Sequence, residues 1–218
     1  MEIDQIKANL KAADSQQRLK AITELKNYEA NIAVPLLRSV MGDPEFLVRS
    51  FVSMGLGKQL TADSLATLLE IVKFDQDPNV RAEAANSLSM FGEVVGPHLL
   101  RAFIQDDSWL VRRTILAALM DLNCPEELFE VCICGLMGED LTVQETALKG
   151  FSFLAGTSKQ EAAKNQLLSR VQDPQPHIRY GVAKALRKFE GSEVREALSQ
   201  LKQDQDHRVV GAVLEQLL

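Results

Sequence analysis

Asp75-Gln76-Asp77-Pro78-Asn79-Val80-Arg81, with Ala84 and Leu88 following at helical spacing, is the stretch that decides the fold. The phrase returns as Asp43-Pro44-Glu45-Phe46-Leu47-Val48-Arg49, as Asp106-Asp107-Ser108-Trp109-Leu110-Val111-Arg112 and as Asp173-Pro174-Gln175-Pro176-His177-Ile178-Arg179. A degenerate copy, Asp204-Gln205-Asp206-His207-Arg208-Val209-Val210, lies near the C-terminus. With the β-branched residue as position zero, the series is Val48, Val80, Val111, Val143, Ile178 and Val209, and Gln17 holds the slot in a weaker first copy. The spacings are 31, 32, 31, 32, 35 and 31 residues, the long one falling where Gly156-Thr157-Ser158-Lys159 lengthens a connection. A fixed period of this size means one supersecondary unit stacked on itself.

From position zero, apolar residues recur at +4 and +8: Val80, Ala84, Leu88; Val111, Ile115, Leu119; Ile178, Val182, Leu186. That is the buried stripe of an amphipathic helix. The Asp and Pro before it supply an N-cap and a first-turn proline. Between these helices lie others, such as Ser64–Val72 and Leu128–Leu136, each ending just before the next Asp. The unit is therefore helix A, a tight turn beginning at Asp, and helix B. The expectation is an all-α chain, an α-solenoid of about seven helix pairs in a single right-handed superhelical array. It forms one domain over residues 1–218, with repeats at about 2–29, 30–59, 60–93, 94–122, 123–156, 157–190 and 191–218. The first and last copies, read as lacking the arginine of the phrase, are expected to cap the stack.

Composition agrees with helices and narrows the function. Of 218 residues, 46% are hydrophobic and only 6% aromatic, so apolar material suffices for a continuous core. The net charge of −6, spread evenly along the chain, argues against a duplex-binding surface, and no nucleic-acid partner is expected. No stretch approaches the roughly 20 apolar residues of a membrane span, and Met1-Glu2-Ile3-Asp4 does not start a signal peptide. Cys124, Cys132 and Cys134 are few and odd in number, which suits a reducing compartment, and a cytoplasmic location is expected. Their spacing is poor for a shared metal, and core thiols are the better reading. No nucleophile–base arrangement or phosphate loop stands out, so no catalytic residue and no metal site is assigned.

The Asp-x-x-x-x-Val-Arg phrase with Ala and Leu after it resembles the HEAT repeats of the phycobilin lyases and phycobilisome-degradation proteins of cyanobacteria. Phe46-Leu47-Val48-Arg49, Trp109-Leu110-Val111-Arg112-Arg113 and Ile178-Arg179-Tyr180 carry the narrower resemblance. It covers nearly the whole chain. It implies a phycobiliprotein, a phycobilisome assembly or degradation factor, or a second HEAT protein as partner. It would also bring a phycocyanobilin-type tetrapyrrole as ligand if the chain were a bilin lyase or a chromophore-detaching protein.

Two sets of residues deserve naming. Asp43, Asp75, Asp106 and Asp173, with Arg49, Arg81, Arg112 and Arg179, recur in the same slots. They read as a structural ladder in which each Asp caps helix B and pairs with an Arg of its own or the next repeat. The competing reading is an arginine row holding an anion. Departures from the repeat are the better binding candidates. Phe46 and Trp109 stand where other copies have Pro, as anchors for a partner or a tetrapyrrole, or as staples over the preceding helix. The arc of helix B opposite the stripe, at +2, +6 and +9, brings Met54, Arg113, Met120, Tyr180 and Lys184, with small residues such as Gly57 and Ala82, onto one track. Exposed Met and small residues make adaptable contact surface. The favoured function is a non-catalytic scaffold binding a partner protein on its concave helix-B face. The alternatives are a bilin lyase, with Trp109, Tyr180, Arg112 and Arg113 holding the pigment, and a partner in iron–sulfur assembly, for which Cys132 and Cys134 offer faint support.

Overall fold

The computed structural model describes residues 1–215, and among them there are only helices, turns and bends. The helices are α1 (Ile3–Asn9), α2 (Ser15–Glu24), α3 (Ala30–Arg38), α4 (Phe46–Gly57), α5 (Ala62–Phe74), α6 (Pro78–Ser89), α7 (Gly96–Gln105) and α8 (Trp109–Asp121). They continue with α9 (Pro125–Met137), α10 (Leu141–Ser152), α11 (Gln160–Leu168), α12 (Pro176–Leu186), α13 (Ser192–Leu201) and α14 (His207–Leu214). Odd-numbered helices are the A helices and even-numbered ones the B helices, so the architecture is an α-solenoid of helix pairs.

The turn into each B helix is built from two polar residues. The Asp at −5 accepts the backbone N–H two residues on: Asp43 from Glu45, Asp75 from Asp77, Asp106 from Ser108, Asp173 from Gln175 and Asp204 from Asp206. The residue at −3 is the N-cap, and Asp14, Asp77, Asp140 and Asp206 accept an N–H of the first turn there. The recurrent Asp therefore shapes the turn before the helix and does not cap the helix itself, a correction to the sequence reading. An Asx turn two residues upstream fixes the direction of entry, after which a second carboxylate meets the helix dipole.

The chain divides into two compact units, residues 1–118 and 119–218. In the first, α2, α4 and α6 pack side by side as the B layer, with α1, α3 and α5 paired to them and α7 beside α5. In the second, α10, α12 and α14 form the B layer over α9, α11 and α13. Each core is the repeat stripe. Val48, Val52 and Leu56 are fully buried, as are Val80, Ala84 and Leu88 in the first unit and Ala147, Phe151, Val182 and Leu186 in the second. Residues four apart lie one above the other on a helix, so one register from each copy lines the interior without a break.

Glycines let neighbouring helices of the second unit approach closely. A Cβ on Gly181 would strike Leu148, and one on Gly150 would strike the Cys132 sulfur. Cys132 fills that hollow, and burial pushes its thiol well above the ordinary value, so it stays protonated and apolar.

Candidate functional site

Between successive copies the arginines reach forward. Arg49 Nε and Nη2 donate to the two carboxylate oxygens of Asp75 at 2.7 and 3.0 Å, while its Nη1 donates to the Asp43 carbonyl at 2.8 Å. Arg81 holds Asp106 at 2.7 and 3.0 Å and the Asp75 carbonyl at 3.0 Å. In the second unit Arg179 does the same with Asp204, at 2.7 and 2.8 Å, and with the Asp173 carbonyl at 2.8 Å. Each of these aspartates thus pairs with the Arg of the preceding copy, neither its own nor the following one, because the guanidinium spans the seam while its third donor is spent on its own turn. The geometry is the bidentate fork that suits guanidinium to carboxylate. Hydrogen bonds donated to the aspartates push Arg49, Arg81 and Arg179 further above the ordinary arginine value, and the Arg179 fork holds Asp204 below the usual carboxylate range.

The ladder begins earlier than the phrase suggests. Arg18 follows Gln17 in the arginine slot, and its Nη2 donates to Asp43 at 3.0 Å and its Nη1 to the Ala12 carbonyl at 2.8 Å. Its Nε lies 2.7 Å from Asp43 but off the line of a hydrogen bond, so the Nη2 contact holds this rung. The first copy therefore carries the arginine it was read as lacking; the missing Asp and Val of its phrase hid it.

Besides the last copy, which has Val210 in the arginine slot, two copies depart from the pattern. Arg112 turns its Nε to the Asp106 carbonyl at 2.7 Å and sets its guanidinium 5.6 Å from the Phe103 ring centroid. In the second unit Gln144 replaces the arginine. Its Nε2 keeps the bond to the carbonyl at −5, here Gly138, at 2.7 Å, and its Oε1 meets His177 Nε2 at 2.9 Å. Asp173, left without a fork, pairs with Arg170 at 3.3 Å. Gln144→Arg should restore the rung and raise the unfolding free energy by about 1 kcal/mol. A rightward shift of the urea midpoint would show it, and an unchanged or lower midpoint would mean that His177 blocks the fork.

The helix-B surface of the first unit is where apolar side chains meet solvent. Phe46 is 44% and Trp109 48% exposed, each the first residue of its helix, and Leu47, Met54 and Met90 are exposed on the same layer. Arg113 and Ala117 are exposed on α8. The expected outward track is only half outward, however. The +6 residues Met54, Asn86 and Ala117 face solvent, whereas Ala82 at +2 and Gly57 at +9 are buried. Gly57 packs on Ser87, because neighbouring B helices meet along that edge. Leu47 and Met90 were missed; they sit at −1 and +10, slots whose exposure depends on the tilt between helices.

In the second unit Lys184 Nζ donates to Tyr180 Oη at 2.8 Å, which raises the lysine above its ordinary value. Met120 is only half buried and reaches toward the hollow at Gly150, so it is less exposed than its slot suggests. Tyr180 and Lys184 are thus brought together, while Phe46, Met54, Trp109, Arg112 and Arg113 belong to the first unit. Cys124 and Cys132 are buried and Cys134 is exposed. Among the described residues no group of three or more His, Cys, Asp or Glu is placed to hold a metal ion. Among them, too, no helix is long and apolar enough to cross a membrane.

Helix pairs of one length, stacked through a shared stripe and linked by forks, define an α-solenoid repeat protein. The family model of HEAT repeats matches residues 3–89, 40–120 and 135–218. The chain belongs to the HEAT-repeat family. Among solved structures it is similar to the Escherichia coli protein YibA, at 15% identity over all of this chain and 92% of that one, with a TM-score of 0.61. It is also similar to the complex of CpcE and CpcF of phycocyanin lyase from a Nostoc species, at 18% identity, 100% and 95% coverage and a TM-score of 0.55. An engineered protein matches at 16% identity, 100% and 68% coverage and a TM-score of 0.56. At these identities the likeness is one of fold. No curated protein matches the sequence significantly.

Proposed function

We propose that this chain is a non-catalytic interaction scaffold that docks a protein on its helix-B layer, and that the partner is a phycobiliprotein or a protein that assembles or degrades phycobilisomes. The observation that carries the reading is the exposed row of Phe46, Leu47, Met54, Met90 and Trp109 on that layer of the first unit. Two aromatic rings at helix starts, where a proline would serve the fold, are the kind of anchor that dominates interface energetics. The choice of partner rests on the Val-Arg phrases, and the likeness to the phycocyanin lyase complex is compatible with it. No comparable observation supports the bilin-lyase or iron–sulfur readings.

Purified phycocyanin and allophycocyanin, tested by biolayer interferometry on the immobilised chain, should bind. Trp109→Ala should weaken that binding by about 2 kcal/mol, roughly thirtyfold, with an unchanged helical circular dichroism spectrum. Binding that is indifferent to Trp109→Ala and Phe46→Ala would move the partner off this layer. No binding of either phycobiliprotein would remove phycobiliproteins as the partner.

A further inference from the structure

We propose that the groove between the C-terminal ends of α5 and α7 binds an acidic peptide segment carrying aliphatic side chains. It encloses about 430 Å³. Leu69 and Val72 of α5 and Ala102 of α7 supply apolar wall, and the Arg81–Asp106 rung lies at its end. Around it stand Lys73, His98 and Arg101, all exposed. None of the three has an ion-pair partner among the described residues; Lys73 only lies over the Phe74 ring, at 4.8 Å. The carboxylates of the lining do not cancel them. Asp75 and Asp106 are held in forks by Arg49 and Arg81, which leaves Asp107 as the one uncommitted acid against three basic side chains. In a chain of net charge −6 this is a local excess of the opposite sign.

The second unit provides an internal comparison. A groove of about 340 Å³ lies in the matching place over the Arg179–Asp204 rung, and besides that rung and Asp173 its polar lining is Gln172, Gln200, Gln203 and Gln205. The repeat makes the trough in both units, because A helices spread where the chain turns at the Asp. The cations belong to the first trough alone, so the stack does not need them.

An extended peptide fits better than a compact anion. A phosphate or sulfate is held by buried donors converging on one point, often at a helix N-terminus. Here the basic side chains are exposed and spread along both walls, with His98 and Arg101 one turn apart on α7 and Lys73 opposite on α5. Phe74 at 67% and Ile104 at 59% exposure lie at the ends of the same two helices. Alternating carboxylates and aliphatic side chains match that arrangement, and binding of this kind weakens with salt. The site lies on the A layer and stands independently of a partner on the B layer.

The test is fluorescence anisotropy with a fluorescein-labelled peptide of repeated Glu-Leu-Glu-Ser units and with its Lys-Leu-Lys-Ser counterpart. The acidic peptide should bind at low salt and lose affinity as salt is raised. Lys73→Glu with Arg101→Glu should weaken it at least about tenfold. Both residues are exposed, and an unchanged helical spectrum would confirm folding. Lys202→Glu and Trp109→Ala should leave the binding as it is. The proposal is overturned if the basic peptide binds equally well, if the charge reversal has no effect, or if the acidic peptide does not bind. Displacement by millimolar pyrophosphate, together with full binding of a Glu-Ser-Glu-Ser peptide without leucines, would assign the groove to compact anions and overturn it too.

Discussion

Asp75→Ala is expected to lower the unfolding free energy by about 3 kcal/mol, a large share of the margin of a chain this size. Asp75 receives the two-pronged bond of Arg49 and the N–H of Asp77. Its side chain is 8% and that of Arg49 16% exposed, so neither group recovers full hydration when the other is removed. Truncating the acid leaves a half-buried guanidinium without its counter-charge and frees a turn donor. Arg49→Ala should cost less, about 2 kcal/mol, because Asp75 keeps its bond to the turn. In a double-mutant cycle read by urea unfolding, the two losses should fall short of additivity by about 1–2 kcal/mol. A cost of Asp75→Ala below about 0.5 kcal/mol would reduce the rung to an ordinary surface pair.

Acid should act through the same device. Asp204 is held below the usual carboxylate range by its Arg179 fork, so the folded protein binds this proton less readily than the unfolded chain. The stability it contributes is fully present above the unfolded value of about 3.9 and is lost as pH falls toward the depressed folded value. Asp204→Asn should flatten that part of the stability–pH profile.

Gly57→Val is the second large effect, also about 3 kcal/mol. A Cβ at this position would stand 2.9 Å from the Cβ of Ser87 and 3.2 Å from its Cα and carbonyl oxygen. Backbone cannot step aside as a flexible side chain can, so α4 and α6 must separate along the seam that buries Leu56 and Leu88. Gly42→Val, where no atom lies within 4 Å of an added Cβ, is the matched control and should cost little. Equal stabilities for the two variants would mean that α4 and α6 can part without loss.

How far the site could be read from the sequence follows from these residues. The slots of Phe46, Trp109 and Met54 were legible, because departures from a repeat are visible in the repeat itself, and all three are exposed. Gly57 and Ala82 were misplaced on the same track, since a helical wheel places a residue on a face without saying which neighbour covers that face. The basic side chains of Lys73, His98 and Arg101 gave no signal, because they lie on two helices, with Lys73 and His98 25 residues apart, and outside the phrase.

The sequence by itself determined the helix pair, its period and the buried stripe at 0, +4 and +8. These follow from backbone geometry within one helix and from identical slots recurring every 31 or 32 residues. Only the tertiary structure decided that Arg18, Arg49, Arg81 and Arg179 reach forward to the next copy's Asp, that Gly57 is a contact and not a surface, and that one trough is lined with cations. Each of these depends on the distance and tilt between successive helices. Those are set by the summed packing of many side chains across the seam, which a local pattern does not encode.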